Sequence, residues 1–350
     1  MAMSCAQVKE LLGKKEKANL GFYPTPFYKL ENMSKLLGIN LYIKREDFSG
    51  QSLFGGNKIR KLEYLIGEAK KQGAEYVFTY GATQSNHAMQ TVEVCRKEGL
   101  KPVIYLRAVV EPDENDVRSN LLLDKILGAE VHIIRRNPGE SDADFKARTR
   151  SASAEQIARL EAEGHKCYDI PGGGASPIGN CGFVGGFVEL TEQLEQMGVH
   201  ADYLFHATGT GGTTVGLHIG KLLLGSDIEI VPIEVSDHGP EYRAQCADLA
   251  MKTLECLGAD GVLTAEDFHT DAGYYYPGYE IPSVGGTEAI KMLAQNEGLF
   301  VDPVYSGKAL AGLIDYVRTG KIAQGSTVVF LHTGGATALF AEKEILGELF

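Results

Sequence analysis

The sequence predicts an α/β protein made of two open parallel-sheet subdomains with helices on both faces. Short apolar runs rich in β-branched and aromatic residues alternate with longer helix-like segments, the rhythm of an open parallel sheet. Residues 76–127 repeat strand, glycine turn and helix at the spacing of a βαβ unit, enough for a subdomain of its own. The run Ile170-Pro171-Gly172-Gly173-Gly174 follows a long charged helix and is the clearest boundary, rigid and then flexible.

Apolar runs bounded by glycine or polar turns predict strands at 41–44, 76–80, 103–106, 131–134, 203–207, 228–235 and 327–332. Helical periodicity falls at 58–72, 88–98, 119–127, 143–163, 183–197, 215–224, 288–297, 308–319 and 336–346. In such sheets ligands bind in the crevice beyond the carboxyl ends of the strands. Three loops qualify: residues 81–87, 208–214 and 332–335.

The chain has 350 residues, a length for about two domains. Its net charge of −12 and pI near 5.3 speak against nucleic acid and anionic membranes, which require a basic face. Small metabolites are the expected partners. Met1-Ala2-Met3-Ser4-Cys5 lacks a basic segment leading into an apolar one, so a cytoplasmic location is expected. The six cysteines form no Cys-x-x-Cys pair and the nine histidines no His-Glu-x-x-His, so neither disulfides nor a metal is expected.

Lys58 stands where the glycine turn Gly55-Gly56-Asn57 enters a helix. The positive end of the helix dipole favours its neutral amine, which attacks carbonyls to form Schiff bases, and pyridoxal phosphate is the carbonyl to test. The bland alternative is one solvated cation in the run Lys58, Arg60, Lys61. Thr208-Gly209-Thr210-Gly211-Gly212-Thr213-Thr214 joins a strand to a helix and has the composition of a phosphate cup. It is neither a Walker loop nor a dinucleotide fingerprint. Thr83-Gln84-Ser85-Asn86 reads as a helix N-cap or as a clamp for a substrate carboxylate, with Asn86 toward a cofactor phenolic oxygen. Tyr274 to Tyr276, Tyr279 and Tyr305 form a phenol-rich region suited to packing or to proton relay.

With these motifs in place the chain resembles the D-cysteine desulfhydrase and 1-aminocyclopropane-1-carboxylate (ACC) deaminase family of pyridoxal-phosphate enzymes. The resemblance runs nearly end to end and is carried by IKRED from Ile43, GGNKIRKLEYL from Gly55, GATQSNH from Gly81, IPGGG from Ile170, HATGTGGT from His206, DPVYSGKALAGLID from Asp302 and LHTGGATALF from Leu331. It implies the tryptophan-synthase-β-like fold (fold type II of these enzymes), a large cofactor-binding domain over 1–55 and 171–350, a small domain over 56–170, and a homodimer. It implies that Lys58 is the Schiff-base lysine and that Ser85, Tyr279 and Tyr305 act in the chemistry. Gly209, Thr210, Gly211, Gly212 and Thr213 would hold the phosphate, and Asn86, Ser306 and Thr333 the ring. Gln84, Ser85, Asn86 and His87 would meet the substrate.

Family members that open the ACC ring carry a glutamate after the second tyrosine and a leucine in the last glycine loop. Here those positions are Ser306 and Thr333, which points to the desulfhydrase branch. Met89 departs from the arginine that relatives carry two residues after this histidine, and bears on which substituent is accepted. The expected reaction is α,β-elimination from a small amino acid, D-cysteine first, giving pyruvate, ammonia and sulfide. L-cysteate lyase and ACC deaminase activities are the alternatives, with a non-catalytic cofactor or amino-acid binding protein as the reading from another class.

Overall fold

The computed structural model describes residues 2–109 and 117–341. In chain order the elements are α1 (Cys5–Gly13), β1 (Phe27–Lys29), α2 (Glu31–Leu37), β2 (Asn40–Arg45), α3 (Lys58–Lys71), β3 (Tyr76–Ala82), α4 (Asn86–Lys97), β4 (Lys101–Ala108), α5 (Ser119–Ile126) and β5 (Glu130–Arg135). They continue with α6 (Asp142–Ala162), β6 (Cys167–Asp169), α7 (Pro177–Met197), β7 (Tyr203–Thr208), α8 (Gly212–Leu224), β8 (Glu229–Glu234), α9 (Tyr242–Leu257), α10 (Val284–Glu297), α11 (Ser306–Arg318) and β9 (Thr327–His332).

The strands form two sheets. One has five strands in the order β1-β2-β9-β7-β8, parallel except for β1 against β2. The other has four parallel strands in the order β5-β4-β3-β6. Both faces of the larger sheet are buried, as parallel strands require. Along β9, Val328 and Phe330 join the core under α2, α10 and α11, while Val329 and Leu331 pack with Phe183, Phe187 and Leu217 from α7 and α8.

All seven expected strands form. The two unforeseen ones, β1 and β6, have three residues each, too few to show alternation. Helices α1, α2 and α9 were also unforeseen; in α9 only Leu254 and Leu257 of the buried stripe are strongly apolar, its first half relying on Tyr242, Cys246 and Ala250. The expected last helix differs as well: residues 336–340 form a 3₁₀ turn after a left-handed Gly335, and 342–346 lie outside the described residues. Among the described residues no helix is long and apolar enough to cross a membrane.

Two features set the position of α3. Glycines on its neighbours allow close approach: a Cβ on Gly182 of α7 would lie 2.2 Å from the Arg60 carbonyl oxygen, and one on Gly216 of α8 would lie 2.6 Å from that of Asn180. The second is a buried charge network. Arg60 donates to Glu46 at 2.5 Å and to Glu189 at 2.7 Å, and Lys44 pairs with Glu189 while donating to the Thr25 carbonyl at 2.9 Å. Two cations and two carboxylates thus tie β2, α3 and α7 together where water is excluded, so removing one member leaves an unanswered buried charge. Glu46→Ala should lower the unfolding free energy by about 3–5 kcal/mol in a urea titration. Lys9→Ala, at the exposed pair with Glu192, should change it by less than about 1 kcal/mol.

Candidate active site

The carboxyl ends of β3, β4, β7 and β9 meet across a crevice enclosing a cavity of about 410 Å³. Its closure depends on a backbone seam: Gly56 pairs antiparallel with Gly334, and the Asn57 amide donates to the Thr333 carbonyl at 3.0 Å. A Cβ on Gly56 would lie 2.9 Å from that carbonyl oxygen, so the seam requires glycine. It brings the start of α3 against the loop after β9, almost the whole chain apart in sequence.

Lys58 is the first residue of α3 and lines the cavity. Burial pushes its amine down to about 8, and among the described residues that amine has no hydrogen-bond or ion-pair partner. The solvated reading of the basic run does not hold: Arg60 is in the charge network, and Lys61 is fully buried. Lys61 Nζ donates to the Gly173 carbonyl at 3.1 Å, and burial and the neighbouring Lys58 push its pKa well down. With no carboxylate partner, its charged form in such a place requires a bound anion.

The glycine–threonine loop supplies the place for one. Gly211 takes φ +80° at the N-cap of α8, and Gly209, Thr210, Gly212 and Thr213 also line the cavity. An ideal Cβ on Gly212 would lie 2.9 Å from Lys61 Nζ and 2.8 Å from Asn180 Oδ1, a buried oxygen without a partner. The loop is held from behind, where the Tyr242 hydroxyl donates to the Gly209 carbonyl at 2.7 Å and the Thr208 and Thr214 hydroxyls are 2.7 Å apart.

On the smaller sheet, Ser85 caps α4, its hydroxyl accepting from the Ala88 amide at 3.2 Å, and it also lines the cavity. The capping and cavity-facing readings of this residue hold together. Asn86 is oriented by a relay: Thr337 Oγ1 donates to Asn120 Oδ1, and Asn120 Nδ2 donates to Asn86 Oδ1, each at 2.8 Å. That leaves the Asn86 NH₂ uncommitted and beside Gly335, where a Cβ would come within 2.7 Å of it. Thr79 donates to the Ile170 carbonyl at 3.0 Å and so accepts from His87 Nε2 at 2.9 Å. His87 is neutral, its pKa pushed far down by burial and by Lys58 and Lys61. Gln84 corrects the sequence reading: it does not line the cavity, and both its amide atoms bond α5, Oε1 to the Asn120 amide at 3.0 Å and Nε2 to the Arg118 carbonyl at 3.3 Å.

The larger sheet contributes the phenols. The Tyr279 and Tyr305 hydroxyls bond each other, and burial holds both phenols protonated. Lys308 fixes the tyrosine loop by donating to the Tyr275 and Gly278 carbonyls at 3.0 and 2.7 Å. Ser306 and Thr333 place their hydroxyl oxygens 3.1 Å apart, with Ser306 also donating to the Gly334 carbonyl at 3.2 Å. Asp302 sets Ser306 by accepting from the amides of Val304, Tyr305 and Ser306 at 3.0, 2.7 and 2.7 Å.

Sequence reasoning missed Lys61, Asn120, Asn180 and Arg107. Lys61 had a signal, its i+3 spacing from Lys58 on one helix face; Arg107 had one too, a lone cation ending an apolar strand. Asn120 and Asn180 had none, since each acts through a residue distant in sequence.

Residues 18–334 match the family described as "Pyridoxal-phosphate dependent enzyme". The chain belongs to that family. It is 37% identical to a 1-aminocyclopropane-1-carboxylate deaminase of Methylobacterium nodulans, over 94% of this chain and 97% of that protein. It is equally 37% identical to a D-cysteine desulfhydrase of Salmonella newport, over 91% and 93%. A crystal structure of an ACC deaminase homologue superposes with a TM-score of 0.85 at 36% identity, covering 98% of this chain and 99% of that one. The fold is fold type II of these enzymes and the cofactor is pyridoxal 5′-phosphate.

The residues fit the cofactor. Lys61 Nζ and the amides at the start of α8 border a space that a single Cβ would fill, suited to a phosphate. Lys58 offers an amine, Asn86 an NH₂ with no partner among the described residues, and Thr333 a cavity-lining hydroxyl for a ring nitrogen, with the Ser306 hydroxyl buried behind it. Gly212→Ala should therefore weaken cofactor binding by about tenfold or more in equilibrium dialysis. Because the Lys58 amine loses its proton near 8, reconstitution of the apoprotein with pyridoxal phosphate should accelerate as pH rises from 7 to 9, with its inflection at about 8. An ordinary lysine would place that inflection near 10.4, and Lys58→Ala should abolish the visible absorbance altogether.

Proposed function

We propose that this chain catalyses α,β-elimination on a small amino acid, with D-cysteine as substrate and pyruvate, ammonia and hydrogen sulfide as products. The observation that carries the reading is the Ser306 and Thr333 hydroxyl pair, where a carboxylate would stand for ring opening. When bound, pyridoxal phosphate supplies an aldehyde for Lys58 and a pyridine ring that takes up the electron pair left by loss of the α-proton. Hydroxyls hydrogen-bond that ring nitrogen without holding it protonated, as a carboxylate would. Such a sink suffices for removing an α-proton ahead of a good leaving group; ACC, which has no α-hydrogen, requires a deeper one.

The other residues fill the roles this reaction requires. Lys58, half-buried and with its pKa pushed down to about 8, would as a free amine take the proton from the α-carbon. Ser85 and the amides opening α4 receive the substrate carboxylate. Asn86, aimed by Asn120, would meet the phenolic oxygen of the cofactor, and His87, neutral, adds no charge beside it. Tyr279 and Tyr305, sharing one hydrogen bond, hold a proton near the departing substituent. The two sheets support a division into a large domain, 1–55 and 171–350, and a small one, 56–170.

Turnover of D-cysteine, L-cysteine, L-cysteate and ACC, read as sulfide, pyruvate and 2-oxobutyrate, tests this reading. The wild type should release sulfide and pyruvate from D-cysteine and little 2-oxobutyrate from ACC. Ser306→Glu with Thr333→Leu should shift the ratio of the two kcat/KM values toward ACC by about tenfold or more, about 1.4 kcal/mol. Efficient ACC turnover by the wild type would assign the chain to the deaminase branch.

A further inference from the structure

The chain carries a net charge of −12, yet its cavity is lined by five cations, Lys58, Lys61, Arg107, Arg136 and Lys146, against two carboxylates, Asp142 and Asp237. Most of this excess has an answer. Lys58 is the amine that meets the cofactor aldehyde, Lys61 faces the phosphate cradle, Arg136 pairs with Asp142, and Lys146 is exposed at the rim. Arg107 is left over. It ends β4, is half-buried, and its guanidinium has no hydrogen bond or ion pair among the described residues. The Phe145 ring lies beneath it at 5.8 Å, Tyr279 lines the same cavity, and Asp142 and Glu280 act on it through the field without pairing with it. A half-buried guanidinium with free donors is placed to receive an anion.

Two anions come with the substrate: the carboxylate and the substituent that leaves Cβ. The carboxylate has a receptor in the N-terminus of α4. Arg107 belongs to a different strand and lines the same cavity as Tyr279, the phenol assigned to the departing group. Resting on the elimination reading above, we propose that Arg107 is the leaving-group residue of this enzyme, receiving the β-substituent as it departs as an anion. In the balanced step the α-proton passes to Lys58 and the Cα–H electron pair becomes the Cα=Cβ bond. The Cβ–S bond breaks with its pair on sulfur, and hydrosulfide leaves beside the guanidinium; the 2-aminoacrylate left behind takes up water to give pyruvate and ammonia. A preorganised cation aimed at the developing charge is worth most where that charge is concentrated and basic. Hydrosulfide therefore depends on Arg107 more than chloride does.

The test compares D-cysteine with β-chloro-D-alanine, which share every atom except the leaving group, in the wild-type holoenzyme and the Arg107→Gln and Arg107→Lys variants. Arg107→Gln should lower kcat on D-cysteine by about 10²-fold, the usual loss for one donor to a developing anion. On β-chloro-D-alanine the loss should be several-fold at most, with Arg107→Lys between the wild type and Arg107→Gln. Product inhibition by added hydrosulfide should weaken in both variants, while visible absorbance and melting temperature stay at wild-type values. Equal losses on both substrates would place Arg107 on a group they share and overturn the assignment, as would no loss on either. A wild type that releases pyruvate from neither would bring down the elimination reading itself, and this assignment with it.

Discussion

The first turn of α3 puts three cations out of water within four residues, and the way each is answered organises the molecule. Arg60 turns outward from the crevice to Glu46 and Glu189, an arrangement that fastens the helix to β2 and α7. Lys58 and Lys61 turn the other way, where no carboxylate meets them. Desolvating a charge without a partner costs several kcal/mol, so the ammonium form of either lysine there needs the charge of a ligand beside it. One consequence is chemical: the same burial that penalises the Lys58 ammonium makes its amine available near neutral pH. The structural cost and the reactivity have a single cause.

Around these lysines the protein relies on backbone proximity. Glycines at 56, 182, 212 and 216 each stand where a Cβ would meet another atom at under 3 Å. They let α3, α7, α8 and the loop after β9 converge closely enough for Lys61 and the start of α8 to share one phosphate-sized space. Buried neighbouring side chains then fix the groups around the cavity. Asn120 sets the Asn86 amide, Thr79 sets the His87 tautomer, Asp302 sets Ser306, and Tyr242 holds the loop from behind. Each is buried and satisfied, so orientation is established before any ligand arrives.

The electrostatics of the cavity divide by sheet. The cations of the cavity, Arg107 among them, come from residues 58–146, while the larger sheet contributes phenols, hydroxyls and one carboxylate, Asp237. Negative charge on a substrate is thus met from one side and protons are held on the other. That separation suits a reaction in which a proton leaves one carbon and an anion leaves the next.

The sequence by itself determined the fold class, the seven principal strands and the glycine loops, because period, β-branching and turn chemistry are local properties. It also marked Lys58, Asn86, Tyr279, Tyr305 and the loop from Gly209 to Thr213, each of which lies in a run whose pattern shows over a few residues. It did not separate the solvated reading of Lys58, Arg60 and Lys61 from the buried one, since identical basic residues fit either. Only the tertiary structure decided that Arg60 serves the scaffold and Lys61 the cradle, that Gln84 faces α5, and that Asn120, Asn180 and Arg107 belong to the site. Those assignments depend on the Gly56–Gly334 seam and on the meeting of two sheets, contacts between residues tens to hundreds of positions apart. Desolvation and hydrogen-bond geometry arise from such contacts, and no local pattern of residues encodes them.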